Sequence, residues 1–128
     1  VPTDIDHVRI MSLHSSKGLS SKLVILTTAV QQLLNNIPEN ISEIDSEILK
    51  EEQRRLFYVA ITRCKCDTNS YPGKLIISSC TKIRGQEALQ MGILSKVNQF
   101  RKVHASQFIR ELGPNLPRTI RGEVLLNN

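Results

Sequence analysis

The sequence predicts an α/β domain with a mostly parallel sheet and flanking helices. Three observations carry this expectation. Leu23 to Ala29, LVILTTA, is a near-continuous apolar run, as expected for a strand buried on both faces. KLIISSC (74–80) is a second run of the same kind. Between them stands a long segment with helical periodicity and helix-start signals, and alternating strands and helices imply parallel strand order.

Taken in order, residues 8–13, VRIMSL, alternate partly and are rich in β-branched and long apolar side chains, so they read as a first strand. His14 to Ser21 is a polar, Gly-containing connection at the carboxyl end of that strand, where ligands of such sheets sit. Asn35, Asn36, Pro38 and Asn40 punctuate a loop after the second strand. Ser42 is suited to cap a long helix, with Glu43, Asp45 and Glu47 in its first turns, where the helix dipole favours acids. Ile44, Ile48, Leu56, Val59 and Ala60 fall on one stripe, with Glu52 interrupting it. Arg63 and Lys65 close this helix at its negative end, and Asp67, Asn69, Pro72 and Gly73 form a turn before strand 74–80. Leu89, Ile93, Val97 and Phe100 recur at helical spacing, against Gly85 and Gly92. Ser106 to Leu112 reads as a short final helix, stopped by Gly113 and Pro114.

Composition narrows the function classes. At 128 residues the chain is expected to form one domain. A hydrophobic fraction of 40% with 23% charged residues is that of a soluble globular chain. No apolar run approaches the ~20 residues that span a bilayer and no signal-peptide pattern opens the sequence, so no membrane partner and a cytoplasmic location are expected. Val1 is not an initiator methionine, and the simplest reading is a piece of a longer protein. Cys64, Cys66 and Cys80 make neither a disulfide set nor a zinc pattern, so free thiols and no metal site are expected. There is no internal repeat and no low-complexity tract. Residues 1–53 have a charge balance of −4 and residues 54–128 one of +9. A basic half attracts phosphate of nucleic acid or nucleotide, although a solvated basic face has the same composition.

LHSSKGLSSKLVIL (13–26) looks like a phosphate loop with its lysine and glycine exchanged. A Walker A loop is G-x-x-x-x-G-K-[ST], whereas here Lys17 precedes Gly18, and no other stretch fits. The residues therefore lack the main triphosphate cradle. By chemistry alone the loop is a strand-to-helix turn capped by Ser15 or Ser16, with His14 and Lys17 free to contact phosphate. EEQRRLFYVAITRCK (51–65) is an amphipathic helix by pattern, yet Arg63 lies in line with Leu56 and Val59/Ala60. An arginine on a buried stripe is expensive to desolvate unless an anion meets it.

Together these stretches resemble the UvrD/Rep-like superfamily 1 helicases. SLHSSKGLS (12–20) is similar to that family's motif V, T-x-H-x-x-K-G-L-E. EEQRRLFYVAITR (51–63) is similar to its motif VI, E-E-x-R-R-L-x-Y-V-[AG]-x-T-R. SQFIRELGPNLP (106–117) looks like the S-x-F-L-x-E-[IL]-P close of the second RecA-like domain. The resemblance implies a DNA-dependent ATPase that unwinds duplexes, with ATP and Mg²⁺ held between two RecA-like domains. Residues 1–7 would be a linker, 8–117 the later part of the second domain, partial and without Walker A, and 118–128 a tail. The partners would be the first RecA-like domain of the same parent and single-stranded DNA. The chain alone would be inactive and carry no bound cofactor.

Carried over by position, Arg63 would be the arginine finger, reaching the γ-phosphate across the cleft. Gly18 and Ser20 would adjoin the nucleotide, and Ser12, His14 and Lys17 the DNA strand. Arg54 and Arg55 would make structural or interface contacts, and Tyr58 would pack. Two departures stand out: Ser12 replaces the family's threonine and keeps the hydroxyl, whereas Ser20 replaces its glutamate and loses a carboxylate. With no Trp and few Phe or Tyr, base stacking is expected from portions outside this sequence. The other function class open to the sequence is a non-catalytic RecA-like module that docks nucleic acid or protein.

Overall fold

The computed structural model describes residues 8–65, 72–115 and 118–127. The apolar runs form β1 (Leu23–Leu26) and β2 (Lys74–Ile77), which pair in parallel with Leu23 opposite Lys74 and Leu26 opposite Ile77. A short α1 (Gln31–Leu34) follows β1, and α2 (Glu43–Ile61) crosses back to make the pair parallel. Helix α2 begins where the sequence places it: the Ser42 hydroxyl accepts from the Asp45 N–H at 3.1 Å, which satisfies one orphan donor of the first turn. Beyond β2 come β3 (Lys82–Arg84), α3 (Gly85–Gln90), β4 (Phe100–Lys102), α4 (Gln107–Arg110) and α5 (Gly122–Leu126).

Two apolar clusters hold these elements. Leu26, Phe57, Ala60 and Phe108 form one, joining β1, α2 and α4. Val30, Ile83, Ala88, Ile93 and Val103 form the other under the β3–β4 ribbon. Backbone bonds link the two halves: Ala29 N–H donates to Ser78 O at 2.9 Å, Ser106 N–H to Ala29 O at 2.9 Å, and Gln31 N–H to His104 O at 2.7 Å.

Several sequence expectations are corrected. Residues 8–13 form no strand, and Val8 and Ile10 are 87% and 97% exposed. A strand needs a ladder partner, and among the described residues none lies beside this segment. For the same reason β1 is covered on one face only, leaving Leu23 and Ile25 exposed. One larger parallel sheet does not form among the described residues: β1 and β2 make a two-stranded parallel sheet, and β3 and β4 a separate antiparallel one, Lys82 opposite Lys102 and Arg84 opposite Phe100. Residues 89–100 are not one helix, because α3 stops at Gln90 and the chain turns through Gly92 into β4. Within α2 only the carboxyl half of the stripe is covered, with Ala60 buried and Leu56 and Val59 half-buried but Ile44 and Ile48 exposed, and the fully buried Phe57 lies outside the expected stripe. The helix expected over 106–112 starts at its Ser106 cap as α4, is one turn long and is not the final one, since α5 follows. Asp67 and Asn69 of the expected turn, Cys66, the 1–7 linker and the end of the 106–117 motif lie outside the described residues.

Candidate functional site

The loop 12–20 is not the strand-to-helix turn its spacing suggests. It makes a single 3-10 turn, His14–Ser16, and runs into the amino end of β1. Neither Ser15 nor Ser16 caps it, and Leu13 holds the N-cap position; the Ser15 N–H donates to Ser12 Oγ at 3.2 Å, and the two hydroxyls lie 2.9 Å apart. Ser16 Oγ donates to Leu13 O at 2.6 Å. Gly18 then turns at φ +83°, an angle at which a β-carbon is strained. His14, Lys17 and Ser20 are exposed.

Helix α2 delivers its last turn beside this loop. Ser21 and Cys64 form a parallel bridge, in which Ser21 N–H donates to Arg63 O at 2.9 Å and Lys65 N–H to Ser21 O at 2.7 Å. The Arg63 side chain is half-buried and folds back on its own helix. Its Nε donates to Val59 O at 3.0 Å and its Nη2 to Thr62 Oγ1 at 3.2 Å. Among the described residues no carboxylate pairs with it. The guanidinium is thus oriented by two neutral oxygens at the negative end of a helix, and its Nη1 makes no hydrogen bond among the described residues.

A second junction joins the same two stretches. His14 and Gln53 line one groove of about 270 Å³ with Leu13, Leu33, Leu34 and Leu56. Gln53 Nε2 donates to Asn36 O at 3.1 Å, while its buried Oε1 has no partner among the described residues. Sequence reasoning passed over Gln53, because a glutamine in an amphipathic helix carries no signal by itself.

Arg54 faces elsewhere. Its Nε and Nη2 donate to the two carboxylate oxygens of Glu111 at 2.8 and 3.0 Å, Nη1 pairs with Glu51, and the guanidinium lies 5.8 Å from the centroid of buried Phe108. The contact with Glu111 keeps Arg54 protonated above its already high range, and it holds the Glu111 carboxyl below the usual carboxylate range. Arg54 therefore clamps α2 to the end of α4. Glu111 and Phe108 both belong to the closing S-x-F-x-x-E stretch, so the signal was an acid and an aromatic three residues apart facing a basic motif. Arg55 is exposed, and Tyr58 is half-buried edge-on to Phe57 at 5.9 Å.

The geometry defines an α/β domain in which a Lys-Gly loop and an arginine-ended helix are welded at the start of one strand. The chain belongs to the UvrD-like helicase C-terminal domain family, whose model matches residues 2–82. It is 43% identical over 61 residues to a probable DNA helicase II homolog of Mycoplasma capricolum. It is 41% identical over 58 residues to the ATP-dependent DNA helicase PcrA of Staphylococcus epidermidis, and 42% identical over 60 residues to the ATP-dependent DNA helicase Rep of Buchnera aphidicola. These alignments cover 45–48% of this chain and 8% of each relative, so the chain spans a small part of those proteins. No helix among the described residues is long and apolar enough to cross a membrane.

Proposed function

We propose that this chain is the motif-bearing part of the second RecA-like motor domain of an ATP-dependent DNA helicase. Arg63 acts as its arginine finger, reaching the γ-phosphate of an ATP whose triphosphate is cradled by the first motor domain. One observation carries the reading: a guanidinium fixed by Val59 O and Thr62 Oγ1, with no acid among the described residues paired to it, on a helix end hydrogen-bonded to Ser21 just after the loop 12–20. Preorganised positive charge of this kind acts where negative charge develops in the transferring phosphoryl group.

His14 and Lys17 face single-stranded DNA from the same loop, Ser12 holds the turn that presents them, and Gly18 and Ser20 lie on the side towards nucleotide. A phosphoryl event at Arg63 then reaches the DNA side through the backbone pairing of residues 21 and 63–65. Mg²⁺ bound with the nucleotide would supply neutralisation of phosphate charge. No three His, Cys, Asp or Glu side chains converge among the described residues, so no residue here is proposed as its ligand. A docking module would need no oriented guanidinium.

The test is Arg63→Ala in the whole helicase. ATP turnover should fall at least ~10²-fold with single-stranded DNA affinity nearly unchanged, because a finger acts in the transition state. Arg63→Lys should restore little, since a point charge does not reproduce the planar fork. Equal loss of DNA binding, or unchanged turnover, would refute the assignment.

A further inference from the structure

Two amphipathic faces are left uncovered among the described residues. The amino half of α2 carries Ile44 and Ile48 at the i, i+4 spacing of one helix face, 74% and 59% exposed. Glu43 and Glu47 run beside them, exposed and without an ion-pair partner among the described residues. The other face belongs to α5 and the residues just before it. Ile120, Val124 and Leu125 are each more than half exposed and belong to neither apolar cluster. Arg118 and Arg121 accompany them, likewise exposed and without an ion-pair partner among the described residues. A helix of 5 residues has too few internal hydrogen bonds to persist in water by itself, so α5 needs a surface to fold against. Every residue of α5 is exposed in its own chain, so that surface comes from another.

The two faces match each other, one acidic around an apolar pair and one basic around an apolar cluster. The whole sequence has the same polarity, with a charge balance of −4 over residues 1–53 and +9 over residues 54–128. Copies of such a chain repel where like halves meet and attract where opposite halves meet. We infer that the amino half of α2 is the docking surface for α5 of a second copy of this chain. Ile120, Val124 and Leu125 of one copy cover Ile44 and Ile48 of the other, while Arg118 and Arg121 face Glu43 and Glu47. Each junction withdraws five branched aliphatic side chains from water, and the charges at its rim select this contact over others. Each copy offers one surface and one tail. Reciprocal docking therefore closes a two-fold dimer with neither left unfilled, whereas one-way docking would grow filaments.

Sedimentation equilibrium of the chain at high micromolar concentration should give twice its 14.4 kDa mass. Ile44→Ser combined with Ile48→Ser should raise the dimer dissociation constant at least about tenfold. Two charge reversals make the test specific. Glu43→Lys with Glu47→Lys should give a monomer, and so should Arg118→Glu with Arg121→Glu, because tail and surface then carry the same sign. Mixed one to one, these two variants should form a heterodimer, since each tail now meets a surface of opposite sign. All six positions are exposed, and circular dichroism checks that the variants keep the fold. A monomeric unsubstituted chain would overturn the proposal and leave both faces to other partners. A dimer that persists at full strength in the isoleucine variant, or charge variants that stay monomeric when mixed, would overturn it by placing the contact elsewhere. None of these readouts uses ATP or DNA, so they stand or fall independently of the Arg63 assignment.

Discussion

The Ser21 N–H donates to the carbonyl oxygen of Arg63 at 2.9 Å, so the Lys-Gly loop and the arginine-bearing helix end are joined through main chain rather than side chains. Backbone pairing of this kind is indifferent to the side chain at residue 21 but not to loss of its N–H. Ser21→Pro removes the donor and should destabilise the domain by about 1–2 kcal/mol in urea unfolding. Ser21→Ala should stay within about 0.5 kcal/mol of the parent sequence. If the two substitutions behave alike, the pairing contributes nothing to stability.

The Arg54–Glu111 clamp predicts a pH dependence. Its hydrogen bonds depress the Glu111 pKa, so the native state favours the ionised carboxylate more than the unfolded chain does. The associated stability is present above the ordinary carboxylate pKa and is lost as pH falls through the lower native value. Glu111→Gln should reduce Tm by a few degrees at pH 7, and that difference should shrink as pH falls below the ordinary carboxylate range. Because both side chains are partly exposed, moderate salt should also narrow it. A Tm difference that is constant from pH 7 to pH 3 would show that packing, not charge, is responsible.

Helix α2 was legible because its signals are local: the Ser42 cap, the acids of its first turn and the apolar positions nearest its end. The apolar runs of β1 and β2 were legible for the same reason. Residues 8–13 carry an equally good strand pattern, yet pairing is not a local property, and among the described residues no strand pairs with them. Leu89, Ile93, Val97 and Phe100 match helical spacing, but only Ile93 is buried, and the segment turns at Gly92. At the site, the motifs marked Arg63 and His14 as candidates, whereas Gln53 and Glu111 acquire meaning only from partners brought beside them by the fold. Glu111 lies 57 residues from Arg54.

Gly85 decides whether the ribbon forms. It is buried, and a β-carbon there would collide with the carbonyl oxygens of Lys96 and Gln99 in the turn that leads into β4. Backbone atoms cannot step aside as a flexible side chain can. Gly85→Ala should therefore cost about 1–3 kcal/mol in urea unfolding. Amide exchange should localise the damage: Val103, whose N–H donates to Thr81 O at 3.0 Å, loses protection, while Ser78, bonded to Leu26 O, keeps it. Uniform loss of protection across both clusters would mean that they unfold as one unit.

Ser20 stands where the motif V pattern that this loop resembles has glutamate. Its side chain is exposed and makes no hydrogen bond among the described residues, one position before the Ser21–Arg63 junction. A carboxylate facing a ribose hydroxyl accepts a charge-assisted bond worth about 1.5–3 kcal/mol, whereas a serine hydroxyl is shorter, uncharged and in need of a bridging water. With the proposed nucleotide side of the loop at this position, Ser20→Glu in the whole helicase should lower the KM for ATP roughly tenfold, with turnover little changed. Folding stability should move by less than about 0.5 kcal/mol, since nothing packs on the residue. The specific signature is sugar discrimination: 2′- and 3′-deoxy ATP should lose ground against ATP in the variant and not in the parent. If both the KM and the deoxy discrimination are unchanged, this position has no part in nucleotide recognition, and its departure from glutamate is neutral.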